Sequence, residues 1–228
     1  MLNCSATFRH GPHAMPDTRP TVIVVDDDIS AREGIEALLD AAGLAVRTFG
    51  SAAAFLASTP PLGPVCLVLD VGLPDLNGLD IQEQVAGEHP EMPIIFITGY
   101  GDIPMTVRAM KAGAAEFLTK PLSDDVLLTA VERAIEASRS AVGERTEQDR
   151  IERRYGSLSP RERQVMALVV SGLLNKQVGW ELGISEITVK AHRGRVMEKM
   201  SAASFADLVK MSARLDLEIP PPRDARSN

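Results

Sequence analysis

Short apolar runs rich in β-branched residues alternate with helix-like segments through the first half of the chain. The apolar runs cover residues 21–25, 45–49, 65–69, 93–97 and 115–119. The helix-like segments cover residues 30–42, 51–58, 78–88, 103–112 and 123–139. Continuous apolar strands that alternate with helices are typical of a parallel sheet whose two faces are both covered. The pattern therefore predicts an α/β domain of five strands and five helices over residues 20–140.

The pattern changes to helices alone after residue 156. Residues 159–162 (SPRE) combine a serine cap, a proline at the first helical position and a glutamate at the third, which form a capping box. Helices are predicted over about 160–171, 175–182, 186–200 and 204–215. Gly183 ends the second of these helices, and Ser185 caps the third. This arrangement predicts an all-α, four-helix domain over 156–217 that contains a helix-turn-helix.

The remaining segments have the composition of connections and ends. Residues 141–155 are charged and carry few apolar anchors, which predicts a linker. The sequence leaves open whether this linker is helical. Residues 1–19 are polar, with proline and histidine, and are expected to form a disordered leader. Residues 218–228 form a polar, proline-rich tail.

Composition argues against a membrane or secreted protein. Hydrophobic residues make up 45% of the chain, yet none of its apolar runs approaches the roughly 20 residues that span a bilayer. The N-terminus carries no apolar stretch of the kind found in signal peptides. Cys4 lies in the leader and Cys66 in an apolar run, so a disulfide framework is not expected. A cytoplasmic protein without a membrane partner is the simplest interpretation.

Charge is divided unevenly along the chain, whose net charge is −7. Residues 20–140 carry 7 Lys and Arg against 18 Asp and Glu, a net of −11. Residues 156–217 carry 9 basic against 6 acidic residues, a net of +3. This segregation indicates two domains that have different partners.

Polar side chains follow the predicted strands at the points where they end. Residues 26–28 (DDD) follow the first strand, Asp70 the third, Thr98 the fourth and Lys120 the fifth. If the strand order is 2-1-3-4-5, the first and third strands are neighbours and their carboxylates converge at one edge. Converging carboxylates need positive charge, which Lys120 supplies in part. Mg²⁺ prefers oxygen ligands, so the sequence predicts a magnesium site here.

Residues 21–139 resemble the receiver domain of bacterial two-component response regulators. The matching elements are VVDD (24–27), Asp70 with Leu73-Pro74-Asp75 and Gly78, Thr98-Gly99, and Lys120-Pro121. Each element is a modest signal, but together they are specific because they occur in the family's order and spacing. The resemblance implies a flavodoxin-like (βα)5 receiver domain.

The resemblance also implies the chemistry of the residues at the strand ends. Asp70 occupies the position of the phosphoacceptor, which takes a phosphoryl group from a sensor histidine kinase. The groups implied to bind Mg²⁺ are Asp26, Asp27, Asp70 and the backbone carbonyl of Gly72. Asp28 is then a third, non-essential acid that opens the following helix.

A switch is implied by the same resemblance. Thr98 is expected to hydrogen-bond the new phosphoryl oxygen, and Lys120 to neutralise part of its charge. Phe117 is expected to move into the space that Thr98 vacates, and Tyr100 lies near this edge. The movement would pass the phosphorylation signal to a surface over residues 103–128, through which the chain is expected to form a homodimer.

Residues 157–215 resemble the LuxR-type helix-turn-helix, in the FixJ-like subgroup. The matching elements are LSPRERQV (158–165), Gly172, Asn175-Lys176, LGIS (182–185) and TVKAHRGRVMEKM (188–200). They cover nearly the whole segment. The resemblance implies that this domain binds double-stranded DNA at promoters and acts with RNA polymerase.

The third helix of this domain has two faces at helical spacing. Val189, Val196 and Met200 share one face and should pack on the other helices. On the opposite face, Lys190 is the best candidate for a base edge, and Ala191 for a thymine methyl group. Phosphate contacts suit Thr188, His192, Arg193, Arg195 and Lys199, and Lys176 is a further candidate for DNA binding.

Two further residues of this domain are harder to interpret. Gly194 lies on the DNA-facing side, where relatives often carry a longer residue. It either permits close approach to the groove or weakens the readout. Trp180 is expected to pack in the core of the domain.

Three hypotheses of different classes follow. The favoured one is a DNA-binding response regulator that is phosphorylated on Asp70 and activates transcription. It is not an enzyme beyond self-catalysed phosphoryl transfer and autodephosphorylation. The second is a phosphorylation-independent DNA-binding regulator with a relic receiver. The third is a haloacid-dehalogenase-like phosphatase in which Asp26 carries the phosphoryl group, although Ser30 breaks that family's motif.

Overall fold

A computed structural model describes residues 19–99 and 103–217, which fall into two compact units that divide between Gly143 and Glu144. The predicted leader, apart from Arg19, and the predicted tail lie outside the described residues, as does Tyr100. Within the described ranges, every helix is too short or too polar to cross a membrane.

The N-terminal unit is a parallel α/β fold. Its strands and first four helices are β1 Thr21–Val25, α1 Ile29–Ala41, β2 Ala45–Phe49, α2 Ala52–Leu56, β3 Val65–Asp70, α3 Gly78–Glu88, β4 Ile94–Thr98, α4 Ile103–Lys111 and β5 Glu116–Thr119. In the described part of the chain, the strands form one sheet in the order β2-β1-β3-β4-β5, and all neighbours are parallel. This is the predicted order.

Both faces of the sheet are covered. Because side chains alternate along a strand, Ile23 and Leu67 pack into a core on one face, whereas Val22 and Val68 pack into a core on the other. Cys66 belongs to the second core, and its complete burial raises the pKa of its thiol to about 12. The apolar strands are therefore buried on both sides, as their composition predicts.

Helix α5 spans Asp124–Gly156 and so includes the residues predicted as a linker. Its first half covers the sheet, and Ser138 is fully buried there. The hydroxyl of Ser138 accepts from the amide of Val65 at 2.9 Å and donates to the carbonyl of Glu91 at 2.6 Å. One side chain therefore pairs two backbone groups beside the starts of β3 and β4.

The C-terminal unit contains α6 Pro160–Val170, α7 Asn175–Leu182, α8 Glu186–Met200 and α9 Phe205–Arg214. The capping box of Ser159 and Glu162 is present, and Ser185 caps α8 as predicted. Val189, Val196 and Met200 are fully buried, as the helical spacing predicts. The end of α5 also enters this core through Ile151.

The turn between α7 and α8 depends on two glycines. Gly183 has a φ of 64°, the left-handed conformation in which a helix often ends. A Cβ atom on Gly179 would lie 2.8 Å from the carbonyl oxygen of Ile184, so the backbone of the turn packs directly on α7. This close approach sets the position of α8.

The prediction for Trp180 is wrong. Its side chain is 74% exposed. Within the short helix α7, Val178 and Gly179 are the buried positions, and Trp180 falls on the outward face with Lys176 and Gln177. The indole therefore contributes little to the core.

Candidate functional site

Three carboxylates converge at the carboxyl edge of the sheet. Asp70 is the last residue of β3, and Asp26 and Asp27 directly follow the neighbouring β1. One carboxylate oxygen from each of these three residues lies within 4.8 Å of the others. Asp26 and Asp70 are buried, whereas Asp27 is exposed. The strand order thus brings together Asp27 and Asp70, which are 43 residues apart in the sequence.

Lys120 bridges two of these carboxylates. Its Nζ atom lies 2.7 Å from Oδ2 of Asp26 and 2.7 Å from Oδ2 of Asp70. Partial burial lowers the pKa of Lys120, but the hydrogen bonds and charges of Asp26 and Asp70 outweigh this effect, and the pKa is raised above its ordinary value. The ammonium is therefore held charged between two carboxylates.

Backbone amides hold the second oxygen of each bridged carboxylate. Oδ1 of Asp26 accepts from the amide of Asp28 at 2.9 Å, and Oδ1 of Asp70 accepts from the amide of Gly72 at 2.9 Å. These bonds fix the orientation of both side chains. The predicted role of the Gly72 carbonyl as a metal ligand stays a prediction.

The donor set fits a hard divalent cation. Three carboxylates and one ammonium leave two negative charges at an open rim, and all the available donors are oxygen atoms. Mg²⁺ prefers oxygen ligands and commonly keeps several waters, so it suits a rim of this kind. Asp26, Asp27 and Asp70 would hold the ion.

Asp28 has a different position from its two neighbours. Its Oδ1 atom accepts from the amides of Ser30 at 2.8 Å and Ala31 at 3.4 Å, which makes it the N-cap of α1. It is not part of the carboxylate cluster within the described residues. The expectation that Asp28 opens the helix is therefore confirmed.

The predicted switch residues lie on the two strands that follow β3 in the sheet. Thr98 is the last residue of β4 and is 4% exposed. Its carbonyl accepts from the amide of Lys120 at 2.7 Å. Phe117, on the adjacent strand β5, is half-buried, and the centroid of its ring lies 6.2 Å from that of Phe96.

Helix α8 presents an exposed face opposite its buried one. The exposed residues on and beside this face are Thr188, Lys190, Ala191, Gly194, Arg195 and Glu198. Lys176, on α7, is also exposed. His192 is half-buried, and its Nδ1 atom has no hydrogen-bond partner among the residues that the structure describes.

Several predicted DNA-contact residues are engaged within the unit. Nζ of Lys190 lies 3.2 Å from Oε1 of Glu186, an i,i+4 ion pair along the exposed face. The guanidinium of Arg193 lies 4.8 Å from the centroid of the Phe205 ring. Nζ of Lys199 lies 2.7 Å from the buried carboxylate of Glu162, so this ammonium has a structural partner. Its phosphate contact stays a prediction.

Comparison with known proteins identifies the family. The family model for the response regulator receiver domain matches residues 22–132. The family model for bacterial regulatory proteins of the luxR family matches residues 156–212. Nodulation protein W of Bradyrhizobium diazoefficiens is 51% identical over 207 residues, which are 91% of this chain and 91% of that protein. The chain belongs to the response regulators that carry a LuxR-type DNA-binding domain.

Other relatives agree with this assignment. The transcriptional regulatory protein FixJ of Azorhizobium caulinodans is 44% identical over 200 residues, 87% of this chain and 93% of that protein. The solved structure of the response regulator StyR is 47% identical, covers 86% of this chain and 99% of that chain, and has a TM-score of 0.78. This response regulator is thus a DNA-binding transcription regulator, and the predicted fold class is confirmed.

The family assignment sets aside the phosphatase hypothesis. The receiver model covers both Asp26 and Asp70, and receiver domains work with histidine kinases. Proteins of this family are transcription factors rather than classical enzymes.

Sequence reasoning missed one residue beside the acidic cluster of the response regulator. The guanidinium of Arg32 donates to the backbone carbonyl of Asp26, and a Cβ atom on Gly50 would lie 3.2 Å from Nη1 of Arg32. Arg32 therefore holds the loop after β1 and lies close to Gly50 in the loop after β2. No spacing rule points to this contact, because it depends on how the two loops approach.

Proposed function

We propose that this response regulator accepts a phosphoryl group on Asp70 and that this modification controls its binding to DNA. The observation that carries the proposal is the position of Lys120, whose Nζ atom lies 2.7 Å from both Asp26 and Asp70. A cation held at this point faces the charge that develops on a phosphoryl group in transfer.

The transfer follows from the chemistry of Asp70. One of its carboxylate oxygens attacks the phosphorus of a phosphohistidine on a sensor histidine kinase. The phosphorus–nitrogen bond breaks, its electron pair stays on the imidazole, and Asp70 carries an acyl phosphate. Mg²⁺, when bound by Asp26, Asp27 and Asp70, supplies charge neutralisation at the phosphoryl oxygens. Lys120 supplies a further positive charge there.

Hydrolysis of the acyl phosphate ends the signal. Attack of water on its phosphorus returns the Asp70 carboxylate and releases inorganic phosphate. The activity of the protein is thus limited to self-catalysed transfer and autodephosphorylation.

We infer that Thr98 and Phe117 report the modification. The Thr98 side chain is enclosed at the end of β4, next to the strand that ends in Asp70. A hydrogen bond from its hydroxyl to a phosphoryl oxygen draws Thr98 toward Asp70 and opens space at the adjacent strand. Phe117 is half-buried on that strand and moves inward.

The surface around α4 is suited to a homodimer. Ile103, Val107 and Met110 recur at helical spacing and are 80%, 44% and 43% exposed, and Val126 on α5 is 51% exposed. An apolar stripe of this kind on a soluble domain marks an interaction surface. A second phosphorylated copy covers it, and the resulting dimer doubles the phosphate contacts on a two-fold DNA site. The dimer then activates transcription with RNA polymerase.

The exposed face of α8 supplies the DNA contacts in this proposal. Lys190 and Ala191 read base edges, and Gly194, on the same face, permits close approach of the helix to the groove. The residues assigned to the DNA backbone are Lys176, Thr188, His192, Arg193, Arg195 and Lys199.

A labelling experiment tests the proposal. The full-length protein is incubated with acetyl phosphate labelled at phosphorus and with Mg²⁺, and the products are analysed for label, size and affinity for promoter DNA. We expect label that hydroxylamine removes, as it does from an acyl phosphate, together with a shift from monomer to dimer and tighter DNA binding. Asp70→Asn should take no label.

Asp28→Ser is the matched control, because it removes one charge of the same triplet and keeps a side chain that caps α1. It should be labelled like the wild type. Label on Asp70→Asn would contradict the assignment of the phosphoacceptor. Labelling without a change in size or DNA binding would instead favour a regulator with a relic receiver.

A further inference from the structure

Ile187 is an apolar side chain in an unusual place. It lies in the first turn of α8 and is 80% exposed, as much as Ile103 on α4. Contact of a large aliphatic side chain with water is unfavourable. A partner that covers Ile187 would remove part of this contact.

The position of Ile187 on the helix indicates what that partner is. At about 100° per residue, Ile187 lies within roughly 60° of Lys190, Ala191 and Gly194 around the helix axis. It therefore belongs to the exposed face proposed to enter the major groove. The N-terminal residues of a recognition helix are the ones that contact base edges. Ile187 is not among the residues predicted to contact DNA.

Ile187 is an exposed apolar residue whose neighbours Ser185, Glu186 and Thr188 are polar. The hydroxyl oxygens of Ser185 and Thr188 lie 2.8 Å apart and share a hydrogen bond. Nζ of Lys190 pairs with Glu186 at 3.2 Å. These groups are engaged with one another, whereas the Ile187 side chain can neither donate nor accept a hydrogen bond. What it can recognise is another apolar group.

We propose that Ile187 determines specificity by contacting the C5-methyl group of a thymine in the major groove. Thymine is the base that presents an apolar group there, and the other base edges offer hydrogen-bond donors and acceptors. Ala191, one turn further along the helix, extends the same apolar surface. The inference rests on the proposed DNA interface of α8 and names thymine as a base that this interface recognises.

The test removes the methyl group from the DNA and the side chain from the protein in turn. A duplex is selected from a randomised library with the full-length protein treated with beryllofluoride and Mg²⁺. Each thymine of the selected duplex is then replaced singly by deoxyuridine, which lacks only the methyl group. Dissociation constants are measured by fluorescence anisotropy at one fixed salt concentration, because phosphate contacts make affinity depend on salt.

For the wild type, we expect one replacement in each half-site to weaken binding by about fourfold, the change for one lost methyl contact. Ile187→Ala should weaken binding to the thymine duplex similarly and should not respond to deoxyuridine at that position. Ile187→Val, which keeps methyl groups at the β-carbon, should retain most of the response. The exposure of Ile187 means that these variants should fold, which circular dichroism checks.

The Lys190→Ala variant shows whether a negative result concerns the whole proposed DNA interface or the thymine contact alone. If Lys190→Ala leaves binding unchanged, α8 is not the interface, and the proposed DNA contacts are wrong. If Lys190→Ala weakens binding but Ile187→Ala either has no effect or weakens every duplex equally, the thymine contact alone is overturned.

Discussion

The ammonium of Lys199 and the carboxylate of Glu162 lie 2.7 Å apart, and Glu162 is almost completely enclosed in the C-terminal unit. The same carboxylate accepts from the amide of Ser159 at 2.8 Å and so closes the capping box of α6. The hydrogen bond from Lys199, followed by that from the Ser159 amide, lowers the pKa of Glu162 from 4.5 to about 2. Through Glu162, Lys199 links α8 to the start of α6.

This pair predicts acid sensitivity of the C-terminal unit. A carboxyl whose pKa is lower in the folded state stabilises that state at pH values above its unfolded pKa. Its contribution is lost as the pH falls from about 4.5 through about 2. The free energy of unfolding of this unit should therefore fall across that window, as measured by urea titration of the circular dichroism of its helices.

Glu162→Gln should be less stable at neutral pH and should lose most of this pH dependence. Glu198→Gln is the matched control, because Glu198 is an exposed carboxylate on α8. It should behave like the wild type. An unchanged pH profile in Glu162→Gln would contradict the structural role of the pair.

Replacement of Lys120 by methionine tests the balance of charge at the acidic edge. The substitution keeps the length of the side chain but removes the cation between Asp26 and Asp70. We expect the unfolding free energy without Mg²⁺ to drop by about 1–3 kcal/mol, because buried carboxylates lose a charged partner. Mg²⁺ should restore stability more in Lys120→Met than in the wild type, as thermal unfolding would report.

The same variant should accept phosphoryl groups poorly even with saturating Mg²⁺, because the metal cannot replace the ammonium at its position. Rapid labelling of Lys120→Met by acetyl phosphate would contradict this. Lys111→Met changes an exposed lysine at the end of α4 and serves as the control.

Ser138 should be more important than its small side chain suggests. Ser138→Ala removes the present partner of the buried amide of Val65 and of the carbonyl of Glu91. We expect a loss of about 1–3 kcal/mol in unfolding free energy. Hydrogen exchange followed by mass spectrometry should show faster exchange at the start of β3. Ser140→Ala, at an exposed position two residues along α5, should have no measurable effect.

Two glycines of the C-terminal unit should respond in different ways to the same substitution. A Cβ atom on Gly179 would meet the Ile184 carbonyl at 2.8 Å, whereas the Cβ position of Gly194 has no atom within 4 Å among the described residues. Gly179→Val should destabilise the unit by about 1–3 kcal/mol through overpacking. Gly194→Val should be close to neutral in urea unfolding, because valine is slightly better than glycine in a helix. Equal losses would mean that the turn does not pack on α7 as described.

The topology and the acidic cluster could be predicted because each depends on a local rule. Apolar strands that alternate with helices specify a parallel sheet, and the sheet brings Asp26, Asp70 and Lys120 to one edge. The caps at Ser159 and Ser185 also follow from short sequence patterns. These features need no knowledge of how distant side chains pack.

Contacts between elements could not be predicted from the sequence. Lys199 has the chemistry of a phosphate ligand, but the approach of α6 gives it Glu162 as a partner. Trp180 is large and apolar, yet the narrow buried face of α7 is already filled by Val178 and Gly179. Neither outcome can be read from spacing within one helix, because each depends on which face the neighbouring element covers.

The alkylation of Cys66 can report how often the strand that ends in Asp70 opens. The thiolate rather than the thiol reacts with alkylating agents, so a buried thiol with a pKa of about 12 is inert while β3 stays in place. The rate at which Cys66 becomes alkylated therefore counts the openings of the strand that ends in Asp70. A ligand that ties Asp70 to its neighbours should therefore slow the alkylation of Cys66, a buried residue of the native chain.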